Sequence, residues 1–195
     1  RLLAKGALGY APAFLRGWLV RHPVIFAALL GLVLAAIGHH THGQTYGTGY
    51  HTVAQALDGE ILQPHYLGPA KLLATVATYW SGIAGGIFTP SLTTGAGIGS
   101  GLWALSDGTV EQGLIALLCT AAFLAAATQS PVTASVVVME MTGGQNLLFW
   151  MLLTCIFASQ VSRQFSPHPF YHAAGLRFRR HIEAESGHVQ HEKKE

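Results

Sequence analysis

Charge is what this sequence most lacks. Asp, Glu, Lys and Arg make up 10% of its 195 residues, where a soluble domain carries about 25%. The deficit is also unevenly placed. Arg1, Lys5, Arg16 and Arg21 precede the apolar body, and a group from Arg163 onward follows it. Between Arg21 and Arg163 the charges are Asp58, Glu60, Lys71, Asp107, Glu111 and Glu140. Uncharged runs therefore fill residues 22–57, 72–106, 112–139 and 141–162. Each has the length of the ~20 apolar residues that a helix needs to cross hydrocarbon. A soluble core cut from such runs has no polar face for water, so the chain reads as an integral membrane protein in a lipid bilayer.

Cysteine is scarce as well. Cys119 and Cys155 lie inside apolar runs and read as buried free thiols, with no disulfide, redox or metal site. The histidines His39, His40 and His42 fall in an apparent loop without a matching Cys or acid, and read as solvated side chains. No cofactor, enzymatic activity or nucleic-acid partner is expected. The first residue is Arg and nothing resembles a signal peptide, which predicts a partial chain. Cations without acids before His22, and four arginines from Arg163 to Arg180, predict cytoplasmic ends on both sides.

What the chain has in plenty is glycine, and much of it sits where charge is absent. Residues 81–101, "SGIAGGIFTPSLTTGAGIGSG", lie inside the uncharged run 72–106. Helices are expected at residues 23–38, 50–57, 72–82, 91–105, 114–127, 132–141, 147–163 and 170–181. Residues 64–69 read as a loop, Asp107-Gly108 as a turn, and "TQSP" at 128–131 as a break. Several of these helices are too short to span alone, and the breaks fall inside uncharged chain. Irregular backbone at membrane depth survives where protein buries it or where it lines a cavity. Half-helices that meet near the midplane are a device of transporters. Ser91, Gly95 and Gly99 form one small-residue stripe, and Gly97 and Gly101 a second, each suited to close helix approach. "GAGIGSG" does not make a dinucleotide loop, because G-x-G-x-x-G ends on Ser100 or Leu102 from its two starts.

Within "GGIFTP", Thr89 is expected as N-cap and Pro90 as first helical residue. Gly85 and Gly86 are expected to let the backbone turn without a Cβ clash. The N–H groups of Ile87 and Phe88 can then face a ligand at the positive end of the helix dipole. Partial charges of this kind hold an anion weakly enough for it to leave again, as a conduction path requires. Spacing alone leaves a plainer reading open, in which the glycines only permit close packing.

"SGIAGGIFTPSLTTGAGIGSGLW" resembles the signature of the CLC family of chloride channels and chloride/proton antiporters. "AAFLAAATQSPVTASVVVMEMTGG" at 121–144, "GTGY" at 47–50 and "PFYHAAGLRF" at 169–178 resemble three further segments of that family, in order and with plausible spacing. The resemblance implies an all-α, CLC-like inverted-repeat fold of broken, tilted helices, of which this chain is the C-terminal half. Residues 1–21 would end a long central helix, 22–182 would form the membrane half, and 183–195 a charged cytoplasmic tail without a CBS-type domain. It implies a central chloride held by the N–H groups of Ile87 and Phe88 and by the hydroxyl of Tyr171. A serine ligand and the gating and proton glutamates of the family have no counterpart here. Retention of Tyr171 favours chloride, or nitrate, over fluoride. Glu140 matches an acid that carries no protons in the family and reads as structural, hydrogen-bonded near a helix end. The implied function is chloride/proton antiport of the bacterial type in an inner membrane, with protons as a second substrate. Passive chloride conduction is the alternative; an unrelated anion carrier and a non-transporting scaffold are the remaining ones. The family is dimeric, and its interface helices map to about 132–141 and 147–163.

Overall fold

The computed structural model describes residues 23–60, 62, 65–81, 85–106 and 110–166 of the chain. These form α1 (Pro23–His40), α2 (Tyr50–Leu57), α3 (Leu67–Trp80), α4 (Phe88–Ala104), α5 (Gln112–Thr128), α6 (Pro131–Thr142) and α7 (Leu148–Phe165). A 3-10 turn at Gln145–Leu147 leads into α7. No strand occurs among the described residues. The segment 1–21, the Asp107-Gly108 turn, Tyr171 with its expected helix at 170–181, and the tail 183–195 all lie outside them.

Two helix starts differ from expectation, and proline explains both. The sequence pattern suggests a loop over 64–69, but α3 already begins at Leu67. Pro69 then falls in the first turn, where its missing N–H costs nothing because no intrahelical partner exists there. Helix α4 begins at Phe88 with Ile87 as its N-cap, and no side chain caps it. Thr89 is therefore not the N-cap and Pro90 is not the first helical residue; both sit inside the first turn. At the α5–α6 break Gln129 takes a left-handed conformation (φ 54°) and Pro131 opens α6 as its first residue. Gly143 (φ 66°) ends α6 in the same left-handed way.

The centre of the fold is α4, packed against α2, α3 and α5, while α5 packs in turn on α6 and α7. Its two small-residue stripes meet different neighbours. A Cβ built on Gly95 would stand 2.6 Å from the Cys119 carbonyl, and one on Gly99 2.7 Å from the Ala116 Cα, so this stripe meets α5. A Cβ on Gly97 would stand 2.6 Å from the Gly68 nitrogen, so the other stripe meets α3. Gly101 continues that contact toward the His65 carbonyl. The missing Cβ atoms of the α4 glycines, set directly against backbone atoms of the neighbours, are what let the helix axes come so near.

Around these crossings lies an apolar core that includes Leu92, Ala96, Ala116, Leu124, Ala134, Val138, Met151 and Cys155. Buried hydroxyls on the same helices return their protons to the backbone one turn earlier, as Thr94 does to Pro90 (2.8 Å) and Thr120 to Ala116 (2.7 Å). Among the described residues one helical segment, Gln145–Phe165, is long and apolar enough to cross a membrane, at 21 residues. Val24–His40, Gln112–Thr128 and Pro131–Thr142 are apolar but shorter. Large apolar side chains of α6 and α7, among them Val132, Phe149, Trp150, Phe157 and Val161, face outward.

Candidate functional site at the start of α4

The site is built by three pieces of backbone around a cavity of about 310 Å³. Gly85, Gly86, Ile87 and Pro90 form one wall, Lys71, Thr75 and Thr78 of α3 a second, and Thr45–Gly47 a third.

The first wall carries unpaired donors. The first hydrogen bond of α4 runs from the Ser91 N–H to the Ile87 carbonyl (2.9 Å). The amides ahead of it have no intrahelical acceptor, and no described residue accepts from the N–H of Ile87, Phe88 or Thr89. The positive end of the α4 dipole therefore opens beside the cavity. Ile87 and Phe88 are half-buried, and the Phe88 ring packs against the apolar core. Gly85 and Gly86 are exposed and neither adopts a left-handed conformation. The expectation that glycine is needed there for turning is thus not met. A Cβ on either would point into open space, so their effect is to leave that wall bare.

The third wall belongs to a tight turn after α1. His42, Gly43, Gly47 and Gly49 all have positive φ there (51°, 81°, 59° and 77°). The buried hydroxyls of Thr41 and Thr45 hydrogen-bond each other at 2.9 Å. "GTGY" docks on α4: the Thr93 hydroxyl donates to the Thr48 carbonyl (3.0 Å), and a Cβ on Gly49 would meet the Thr93 side chain at 2.5 Å. Glycine at that position is required twice over, by its backbone angle and by the approach of Thr93.

Lys71 is what the sequence reading missed. Its side chain is 2% exposed, and its ammonium donates to the carbonyls of Thr45 (2.9 Å) and Gly47 (2.8 Å). An ionisable group inside apolar chain is a functional candidate, and Lys71 is one. Glu140 in fact lies exposed in the last turn of α6. A signal was available in the sequence: Lys71 is the sole Lys or Arg between Arg21 and Arg163. The other singled-out residues stand apart from the cavity. His39 and His40 are exposed, with their rings edge to face at 6.0 Å. Cys155 is buried and Cys119 half-buried, and both are free thiols.

The family model for the voltage gated chloride channel matches residues 2–163 of the chain. Similar curated proteins include the voltage-gated ClC-type chloride channel ClcB of Escherichia coli O81, 38% identical over 144 residues. That alignment covers 70% of this chain and 34% of the relative. The ClcB of Escherichia coli O6:H1 matches with the same identity and coverage. An uncharacterised protein of Haemophilus influenzae is 57% identical over 83 residues, covering 43% of this chain and 85% of its own length. The chain thus spans about a third of the length of the ClcB relatives it matches.

Proposed function

The chain belongs to the voltage-gated chloride channel family and is an all-α integral membrane protein, and from that premise we propose that it carries the second half of a chloride-transport path. The observation that carries this reading is the start of α4, where Ile87, ahead of the first intrahelical hydrogen bond, lines a cavity walled by bare glycine backbone. Chloride accepts hydrogen bonds from any direction. The amides of Ile87 and Phe88 supply two donors, and the hydroxyl of Tyr171 supplies a third. Gly85 and Gly86 keep Cβ atoms out of the approach, while Thr89 and Pro90 build the first turn that aims the amides. Such partial charges hold a monovalent anion in a low-dielectric site without trapping it.

The proposed mode is exchange of chloride for protons, in a bacterial inner membrane with the C-terminus in the cytoplasm. The protein would be a homodimer meeting through about 132–141 and 147–163, where α6 and α7 turn large apolar side chains outward. Flux from proteoliposomes tests the reading. The intact protein should release chloride down its gradient, and a chloride gradient should drive protons uphill. Chloride flux without proton movement makes it a passive channel, and no anion flux at all overturns the transport reading.

A further inference from the structure

The cavity beside α4 contains a full positive charge that the backbone-amide site does not use. Lys71 is buried to 2% exposure, and carbonyls of Thr45 and Gly47 accept two of its three protons. The acids among the described residues, Asp58, Glu60, Glu111 and Glu140, are all exposed, and none pairs with it. An ammonium group taken out of water is stabilised by an opposite charge, and carbonyl dipoles replace only part of its hydration. The third proton remains for the cavity that Lys71 shares with Gly86 and Ile87. At about 310 Å³, that cavity far exceeds one water's share of liquid volume, about 30 Å³, so a halide can sit there with part of its hydration.

We propose that Lys71 is the fixed countercharge of this cavity, and that a small inorganic anion binds against its ammonium group as a position separate from the amides of Ile87 and Phe88. This rests on the reading of the chain as an anion carrier. The Thr45–Gly47 turn orients the ammonium group by taking two of its protons, and the anion takes the third. An anion at that position is held by one charged donor and by water, so it exchanges more readily than one in a closed cage of charges.

Lys71→Gln separates charge from hydrogen bonding, because its shorter amide keeps N–H donors on the side of the two carbonyls but carries no charge. In the intact protein, calorimetric titration with chloride should show affinity weakened by about tenfold or more in Lys71→Gln, the scale of one hydrogen bond to a charged group. Lys71→Arg should bind as the wild type does. Unchanged chloride affinity in a folded Lys71→Gln protein overturns the proposal. If that variant does not fold, wild-type crystals grown in bromide decide through anomalous scattering. A bromide peak against Lys71 Nζ supports the position; a peak only at the start of α4 overturns it and leaves the transport reading standing. Absence of chloride binding to the wild type sinks both.

Discussion

The crossing of α3 over α4 sets a sharp test of how this fold is held together. A methyl group added at Gly97 would lie 2.6 Å from the Gly68 nitrogen, 2.8 Å from its Cα and 3.2 Å from the Leu67 carbonyl carbon. Ordinary contact begins at 3.4 Å, so the shortest of these falls about 0.8 Å inside it. All three neighbours are backbone, and backbone cannot rotate aside as a side chain can. The helices must separate instead, and separation strips dispersion contacts from the whole crossing. Overpacking of this kind costs about 1–3 kcal/mol. Each kcal/mol lowers Tm by about 2–4 °C in a domain of about 150–250 residues, and by less in a longer chain. Gly97→Ala in the intact detergent-solubilised protein should therefore melt below the wild type. Gly31→Ala is the control: it lies within α1, and a Cβ there meets nothing within 4 Å. Better helix propensity should make Gly31→Ala neutral or more stable, by up to about 1 kcal/mol. Thermal denaturation followed by size-exclusion fluorescence separates the two. Equal melting of Gly97→Ala and wild type would refute the close crossing.

Other outcomes follow from single contacts. Gln112 donates from Nε2 to the Glu60 carbonyl (2.6 Å) and the buried Ser100 hydroxyl (3.3 Å). Gln112→Ala should cost about 1–3 kcal/mol by leaving both without that donor, and an unshifted Tm would count against those bonds. Gly143 ends α6 at φ 66° with open space around its Cβ position. Gly143→Ala should therefore cost about 1–2 kcal/mol through backbone strain alone, read from the same melts. Tyr171→Ala should weaken chloride binding by calorimetry, and unchanged affinity would remove Tyr171 from the ligand set. Phe157→Arg puts a charge on an outward face of α7 where Phe157 is 70% exposed. It should convert the proposed dimer to monomer in light scattering, and a persistent dimer would place the interface elsewhere.

The local grammar was written in the order of residues. Uncharged runs longer than the helices inside them announced broken membrane helices, and "TQSP" marked a helix break by backbone chemistry that acts within a few residues. The two stripes on α4 were visible because residues four apart share a helix face. Boundaries near proline were less legible. Proline is tolerated throughout a first turn, so Pro69 and Pro90 could not say how far ahead of them α3 and α4 begin.

By itself, then, the sequence determined a helical membrane chain, the places where its helices break, and which faces of α4 can lie against another backbone. The tertiary structure decided what each face meets: Gly95 and Gly99 take α5, and Gly97 takes Gly68 of α3. It decided too that Gly85 and Gly86 leave a wall bare instead of turning the chain. Above all it decided the fate of Glu140 and Lys71, leaving Glu140 exposed and sending Lys71 to the carbonyls of Thr45 and Gly47, 26 and 24 residues away in sequence. Burial and hydrogen-bond partners of that kind depend on separate segments meeting in space, which no local pattern of residues records.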